Sequence, residues 1–412
     1  MGIDGNEPVG AIQAAVPERP WVFGLLIAPL AVLSNGLISG ALFFLLLKQN
    51  VDVGRAAGIV AFLNLPQTLY FLWSPITDFW IRRRTWLMVA SVAAAAVMLT
   101  AFHQASLASP WAVALMFLSA CFGQLVVAGC GGMMGTLHSE AGRRRASSFY
   151  QSGSMAFGAL AMSALVVLSE RMKLGALGWI MAAMIALPSL AALAAPEQRT
   201  VGGVGVRQTF AQIWHEFKVT FLRWRAIPYT LIVLFPMASG AMIGLLPGFA
   251  KFYQITDQQM AWLNGLGGAL LMAAGALSAT LVSTKIRASV AYLTSGLVNA
   301  AVLAVLWLGP LQPLVYLAGT VLFLFTIGVG YALSTAVVLE FMGGSGKSGS
   351  ARYAIINSML NVPVVYMAKI DGFSAGRWGT RAGPGADVVI STIGALILLT
   401  YFLTRPTEKQ LG

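Results

Sequence analysis

The sequence predicts an all-α membrane protein of 12 transmembrane helices, arranged as two pseudo-symmetric six-helix bundles. Three observations predict it. Apolar residues make up 58% of the 412 and charged residues only 10%, with a mean hydropathy of +0.78. A soluble domain carries about 25% charged residues, so this chain is built for lipid. Apolar runs of roughly 20 residues, the length a helix needs to cross a bilayer, recur along the chain. The third observation is a repeat. The stretch from Gln49 to Arg84 returns 205 residues later, with Gln49 on Gln254, Asp52 on Asp257, Ile81 on Ile286 and Arg82 on Arg287. Polar matches at both ends of one apolar run indicate two related halves, a parallel repeat about an axis along the membrane normal.

In chain order, residues 1–20 form a polar tail with Asp4, Glu7 and Glu18 against a lone Arg19. The tail lacks the basic start and cleavage site of a signal peptide, so Trp21 is expected to begin a retained helix. The apolar runs fall at 21–47, 56–79, 85–105, 110–136, 148–168 and 175–195, then 227–249, 259–282, 288–308, 312–339, 353–370 and 386–404. These define an N-terminal bundle over 21–195, a linker over 196–226, a C-terminal bundle over 227–404 and a tail over 405–412. Prolines inside the runs (Pro29, Pro66, Pro75, Pro188, Pro236, Pro247 and Pro363) are compatible with membrane helices. In the linker, Phe210, Ile213, Trp214, Phe217, Phe221 and Trp224 share one face of a candidate amphipathic helix.

The charges set orientation. With the N-terminus in the cytoplasm, most of the 26 Lys and Arg fall in cytoplasmic segments, including Arg82, Arg83, Arg84 and Arg143 to Arg145. That satisfies the positive-inside rule and places both termini in the cytoplasm. The net charge of +12 is spread over loops beside the membrane, so no nucleic-acid partner is expected.

Enzymatic and metal chemistry find little support. Cys121 and Cys130 lie nine residues apart on one apolar run, about 13 Å along a helix, too far for a disulfide. His103, His138 and His215 lie in or near loops, so neither a zinc site nor a nucleophile–base pair assembles. No catalytic residue, metal or cofactor is expected. The acids lie at run ends: Asp78, Glu140 and Glu340 on the cytoplasmic side, and Asp52, Glu170, Asp257 and Asp371 on the other. No carboxylate is expected in the middle of a span.

Near the span centres the chain instead places amides: Asn35 in the first, Gln67 in the second, Gln124 in the fourth and Asn361 in the eleventh. Asn64, Tyr70, Tyr150, Gln151 and Asn357 lie near the same levels. An unsatisfied polar group facing lipid costs several kcal/mol, so these should point inward. Taken singly, each suits a helix–helix hydrogen bond. Taken together, Asn35, Gln67, Gln124 and Asn361 suit one cavity that binds a polar small molecule, with Tyr70, Tyr150, Gln151 and Asn357 beside them.

Ser74 to Trp86, SPITDFWIRRRTW, resembles the Asp-and-Arg loop motif between spans two and three of the major facilitator superfamily, with Ser74 at the usual Gly position. More narrowly, this stretch and SARYAIINSMLNVPVVYMAKIDG from Ser350 are similar to the muropeptide permease and acetyl-CoA transporter branch. Val126 to Leu137 of span four lacks the acids common in muropeptide permeases. The resemblance implies a secondary transporter in a bacterial inner membrane, working by alternating access as a monomer. Its partners would be the bilayer and a small polar solute, with cell-envelope-derived and anionic solutes among the options and proton coupling left open. It also implies a gate at the cytoplasmic side, for which Asp78, Arg82, Arg83, Arg84, Glu140, Arg145, Glu340 and Arg352 are the candidates. Asp78 would accept hydrogen bonds from the opposite half, and Arg145 and Arg352 would meet an anionic solute. Pseudo-symmetry puts Ser283 opposite Asp78, so the carboxylate comes from one half alone. A receptor or assembly factor on the same fold is the alternative.

Overall fold

The spans take shape in a computed structural model that describes residues 19–78, 80–195, 214, 218, 227–237, 239–282, 284–342, 349–379 and 381–404. All regular structure among the described residues is helical. Span 1 runs Val22–Lys48, span 3 Arg83–Phe102, span 4 Pro110–Gly135, span 5 Glu140–Ser169 and span 6 Leu174–Ala194. In the second half, span 9 is Ala288–Leu308, span 10 Pro313–Met342 and span 12 Ala382–Thr404. The remaining four are broken. Span 2 is Val53–Leu63 followed by Leu65–Leu69; span 7 begins with Ile227–Leu234 and resumes at Leu246–Phe249. Span 8 is Asp257–Asn264 then Leu266–Ser278, and span 11 is Gly349–Leu360 then Val362–Trp378.

The breaks follow local chemistry. Proline lacks an N–H and collides with the preceding turn, and it is accommodated where a new helical segment starts. Pro66 and Pro363 each stand in the first turn of the second piece of their span. Two residues before each lies an asparagine, Asn64 or Asn361, whose amide turns back onto a carbonyl of the preceding turn. Asn64 Nδ2 donates to Val60 O at 2.9 Å and Asn361 Nδ2 to Asn357 O at 3.4 Å. An Asn-x-Pro sequence therefore breaks both spans by the same device. Span 1 is interrupted differently, by a π-helical stretch Val32–Ala41 that carries Asn35; such stretches are rare and concentrate at functional sites.

The expected ungapped repeat needs correction. At the basic ends the offset is 205: Arg82 and Arg287 are the extended residues that precede spans 3 and 9, with ψ of 144° and 143°. At the opposite face it is 204. Asn50 and Gln254 are the left-handed residues of the two turns, with φ of 59° and 58°. Val51 N bonds Leu46 O, as Ile255 N bonds Ala250 O. Asp52 receives the amide of Arg55 and Thr256 that of Gln259. Gln49 with Gln254 and Asp52 with Asp257 are thus not structural equivalents. One residue is gained inside span 8, where the helix breaks at Gly265 instead of at an Asn-x-Pro.

Three apolar clusters hold the molecule together. One fills the N-terminal bundle around Leu37, Leu42, Met98 and Leu165. Another fills the C-terminal bundle around Leu246, Leu293, Phe323 and Ile327. The third crosses between them, joining Val22, Phe23, Met133 and Met134 to Val338, Leu339, Tyr353 and Ile356. It lies toward the face that carries Asp78, so the halves share a core there.

The proposed linker helix lies outside the described residues, except that Lys218 stands 5.3 Å over the Trp214 ring. The tails at 1–18 and 405–412 and Ser283 also lie outside them.

Candidate gate and substrate path

The candidate gate centres on Asp78, which ends the short 3-10 turn Ser74–Asp78. Thr77 Oγ1 donates to Ser74 O and locks this turn, while Trp73 Nε1 ties its start to Cys121 O of span 4. The Asp78 side chain is only 1% exposed. Arg83 Nε donates to its Oδ1 at 2.9 Å. From the other half, Ser350 N donates to Oδ1 at 3.3 Å and Ala351 N to Oδ2 at 3.1 Å. These two amides belong to the first turn of span 11, where N–H groups have no helical acceptor and the helix dipole favours an anion. The two stretches that carry the sequence resemblance thus meet in space through one carboxylate.

Close approach makes this contact. A Cβ on Gly131 would stand 2.1 Å from the Tyr353 ring, and one on Gly132 2.3 Å from Ser350 Oγ and 2.8 Å from Arg83 Nε. Only hydrogen fits at either position, so span 4 abuts span 11 directly.

The halves are joined a second time by a bond of inverted polarity. Arg144, buried in the first turns of span 5, donates to the carbonyl of Ile286 before span 9, and also to Glu140 Oε1 at 2.8 Å. In the first latch the loop before span 3 offers a carboxylate to amides of span 11. In the second, the loop before span 9 offers a carbonyl to a guanidinium of span 5. Two pseudo-equivalent loops grip two pseudo-equivalent helices. The carboxylate comes from one half alone, and the other half contributes through its backbone.

Of the expected gating residues, Asp78 and Arg83 meet, and Glu140 pairs with Arg144 while its side chain stays 53% exposed. Arg82 precedes the helix and Arg84 is half-buried on it. Arg145 is exposed, one helical step of about 100° from Arg144. Glu340 is drawn into its own half by Ser289 N at 3.0 Å, Ser289 Oγ at 3.0 Å and Tyr229 at 3.3 Å, with Arg287 beside it. It makes these contacts within the C-terminal bundle instead of bridging the halves. Arg352 donates to Met342 O at the end of span 10, likewise within its half.

Deeper along the same seam the polar residues pair across the halves. Gln151 Nε2 of span 5 donates to Thr335 Oγ1 of span 10 at 2.8 Å. Asn357 Nδ2 of span 11 donates to Tyr70 OH of span 2 at 3.0 Å. Asn361 Nδ2 reaches Gln67 O at 3.5 Å, so the two Asn-x-Pro breaks face each other. Tyr70 is fully buried and Tyr150 nearly so. Asn35 is bound to Ser154 Oγ at 3.1 Å within the N-terminal half and retains exposed surface. One step further along span 1, Ser39 Oγ donates to Asn64 Oδ1. Gln124, on span 4, is 4% exposed. The structure therefore brings Gln67, Tyr70, Gln151, Asn357 and Asn361 to one seam, lines Asn35 up with Ser39 and Asn64 beside it, and buries Gln124.

Two solved structures share this arrangement. The human organic anion transporter MFSD10 (TETRAN) superposes with a TM-score of 0.65 over 93% of this chain and 99% of its own, at 16% identity. The proton:xylose symporter XylE, solved with 6-bromo-6-deoxy-D-glucose, gives 0.68 over 93% and 96%, at 13% identity. This chain has the major facilitator fold. No protein-family model matches the sequence, and no curated protein does.

The two bundles meet along spans 2, 4, 5, 8, 10 and 11 here, so the latches and the Asn-x-Pro breaks all lie between the two halves. Asp371 is not at a helix end, because span 11 runs on to Trp378, and Asp387 is drawn into span 12, which begins at Ala382. Asp371 is fully buried and Asp387 7% exposed. Lys369 and Asp371 interrupt the hydropathy of the sequence, but the residues beyond them, Gly372 to Ala375, are small or apolar and continue the helix.

Proposed function

We propose that the protein is a secondary transporter that moves a small polar solute across the membrane by alternating access. The double latch carries this reading: two loops in pseudo-symmetric positions grip the opposite half at one face. Polar contact between halves then continues inward through Gln151, Tyr70 and Asn357 to Asn361. Paired hydrogen bonds between two bundles that each keep a core of their own suit halves that part and meet again. Asn35, Gln67 and Asn361, with Ser39 and Asn64, supply neutral donors and acceptors at mid-span, which suits hydroxyls and amides of a solute. Arg145 and Arg352 stand near the gate, where an anionic group would meet them.

We place the Asp78 face in the cytoplasm of a bacterial cell, following the basic residues that flank it. The halves joined at that face then describe a state closed to the cytoplasm. The muropeptide permease and acetyl-CoA transporter branch is the narrower reading, supported by the contact between the Ser74–Trp86 and Ser350–Gly372 stretches.

The test is counterflow in proteoliposomes loaded with a panel of neutral and anionic amino sugars, sugars and short peptides. Saturable accumulation of at least one solute, reduced at least tenfold by Asn361→Ala, is expected. No accumulation of any solute by well-folded protein would point to the receptor or assembly role.

A further inference from the structure

A pair of acids sits where neither the gate nor the polar seam reaches. Asp371 lies on span 11, seven residues before its end at Trp378, and Asp387 five residues after the start of span 12 at Ala382. At 1.5 Å per residue, both are about 8–10 Å inside the same end of the bundle, the end opposite Asp78. Spans 11 and 12 pack together, and a Cβ on Gly383 would stand 3.1 Å from the Asp371 carbonyl oxygen. Both carboxylates are enclosed where spans 11 and 12 meet. Both Asp371 oxygens are buried with no hydrogen-bond partner among the described residues. Asp387 has one: Ser391 Oγ donates to its Oδ1 at 2.7 Å.

Among the described residues no Lys, Arg or His forms an ion pair with either carboxylate. Tyr366, on span 11, is an electrostatic neighbour of Asp387, and its hydroxyl donates to Leu234 O. Tyr292, on span 9, donates to Met237 O. The short turn Ala241–Gly244, which packs on both helices, carries no titratable group. Arg381, in the turn between spans 11 and 12, is exposed and lies near Tyr253 instead, and Lys369 and Arg377 are exposed on span 11. Two desolvated carboxylates side by side cannot both stay ionised, and a buried charge without a partner marks a path for an ion or proton. Among the described residues no group of three or more His, Cys, Asp or Glu side chains comes together there to hold a metal ion.

We propose that Asp371 and Asp387 together hold one proton between spans 11 and 12, at the end of the bundle opposite the Asp78 gate. Asp371, with nothing to donate to it, carries the proton; Asp387, which accepts from Ser391, carries the charge. Ser391 makes the pair mechanically relevant. Its Oγ also lies 3.2 Å from the carbonyl of Pro236, at the break of span 7. When Asp387 takes the proton, its O–H donates to Ser391 Oγ and the Ser391 hydroxyl hydrogen turns to Pro236 O. The proton moves from one carboxylate to the other, no bond is otherwise broken, and a hydrogen bond is gained at a helix break. Moving the proton within the pair thus changes how span 12 holds span 7. The site stands on this geometry; its use to drive solute movement rests on the transporter reading.

Infrared spectroscopy of the purified full-length protein in nanodiscs, without solute, tests the site apart from transport. Wild type is expected to show a protonated-carboxyl C=O band that persists at neutral pH. Asp371→Asn should abolish it, and Ser391→Ala should shift its frequency. Both variants should unfold thermally within a few degrees of wild type, because neither adds a charge or bulk. Sodium chloride at constant pH should leave the band unchanged. A band equal in wild type and Asp371→Asn, or no band in wild type at neutral pH, would overturn the proposal. Loss of the band on adding sodium would also overturn it, in favour of a cation site.

Discussion

Replacing Asp78 by Asn removes one charge from the latch and leaves its shape. In the structure the carboxylate accepts two amides from span 11, Ser350 N and Ala351 N, and the Arg83 guanidinium. Hydrogen bonds to a charged acceptor contribute about 1.5–3 kcal/mol, against about 1 for neutral ones. The Asn side chain offers one oxygen where two are needed, and its NH2 would confront an N–H. The closed state should lose about 3 kcal/mol relative to the open one, about a hundredfold in their ratio. Surface screening does not discount this figure, because the Asp78 side chain is only 1% exposed. Arg83, 3% exposed, would lose its counter-charge, and that can cost 3–5 kcal/mol in folding; Arg83 retains Gly132 O as a partner. The double variant Asp78→Asn/Arg83→Gln separates the two effects, because it opens the latch without stranding a charge. The assay is maleimide labelling of Ser334→Cys, a buried site on span 10 beside the seam, with Cys121 and Cys130 replaced by Ala. Labelling from the Asp78 face should accelerate at least tenfold in both variants. Unchanged labelling in folded protein would reduce Asp78 to a local cap.

Arg144→Ala should open the second latch and lower the unfolding temperature, whereas Arg145→Ala, at an exposed site, should shift stability by less than about 0.5 kcal/mol; thermal unfolding in detergent reads both. Gly132→Ala puts a methyl against Ser350 and Arg83 and should raise Ser334→Cys labelling as Asp78→Asn does, although no polar group is lost. Asn357→Leu removes the bond to Tyr70 and should weaken solute counterflow more than stability, with Tyr70→Phe reproducing the defect.

Much of this was legible because membrane insertion constrains sequence so strongly. Twelve apolar runs and the halfway repeat follow from what a bilayer requires of any helix. The Asp78 latch was legible too, since an acid at a helix end followed by arginines has few uses other than capping something. Helix phase was not legible. Three successive arginines at 143–145 carry no apolar pattern to say which points inward, and packing against Ile286 selects Arg144. The same holds at 82–84, where Arg82 takes the extended position before the helix and so turns Arg83 onto Asp78. The one-residue slip between Asn50 and Gln254 was hidden by the coincidence of Gln49 with Gln254, because side-chain identity masked a conserved left-handed backbone position. Asp371 was placed at a helix end because hydropathy averages over a window, and a helix that buries its acid against a neighbour does not need that window to be apolar.

The central claim is that the two bundles rock, with one face opening as the other closes. Electron–electron resonance distances in nanodiscs test it most directly. One label pair, Arg145→Cys with Leu281→Cys, reports the Asp78 face; the other, Trp111→Cys with Leu314→Cys, reports the opposite face, and all four positions are exposed. On introducing Asp78→Asn, the first pair should lengthen and the second shorten. Distances that stay fixed at both faces, or lengthen at both, would contradict the account.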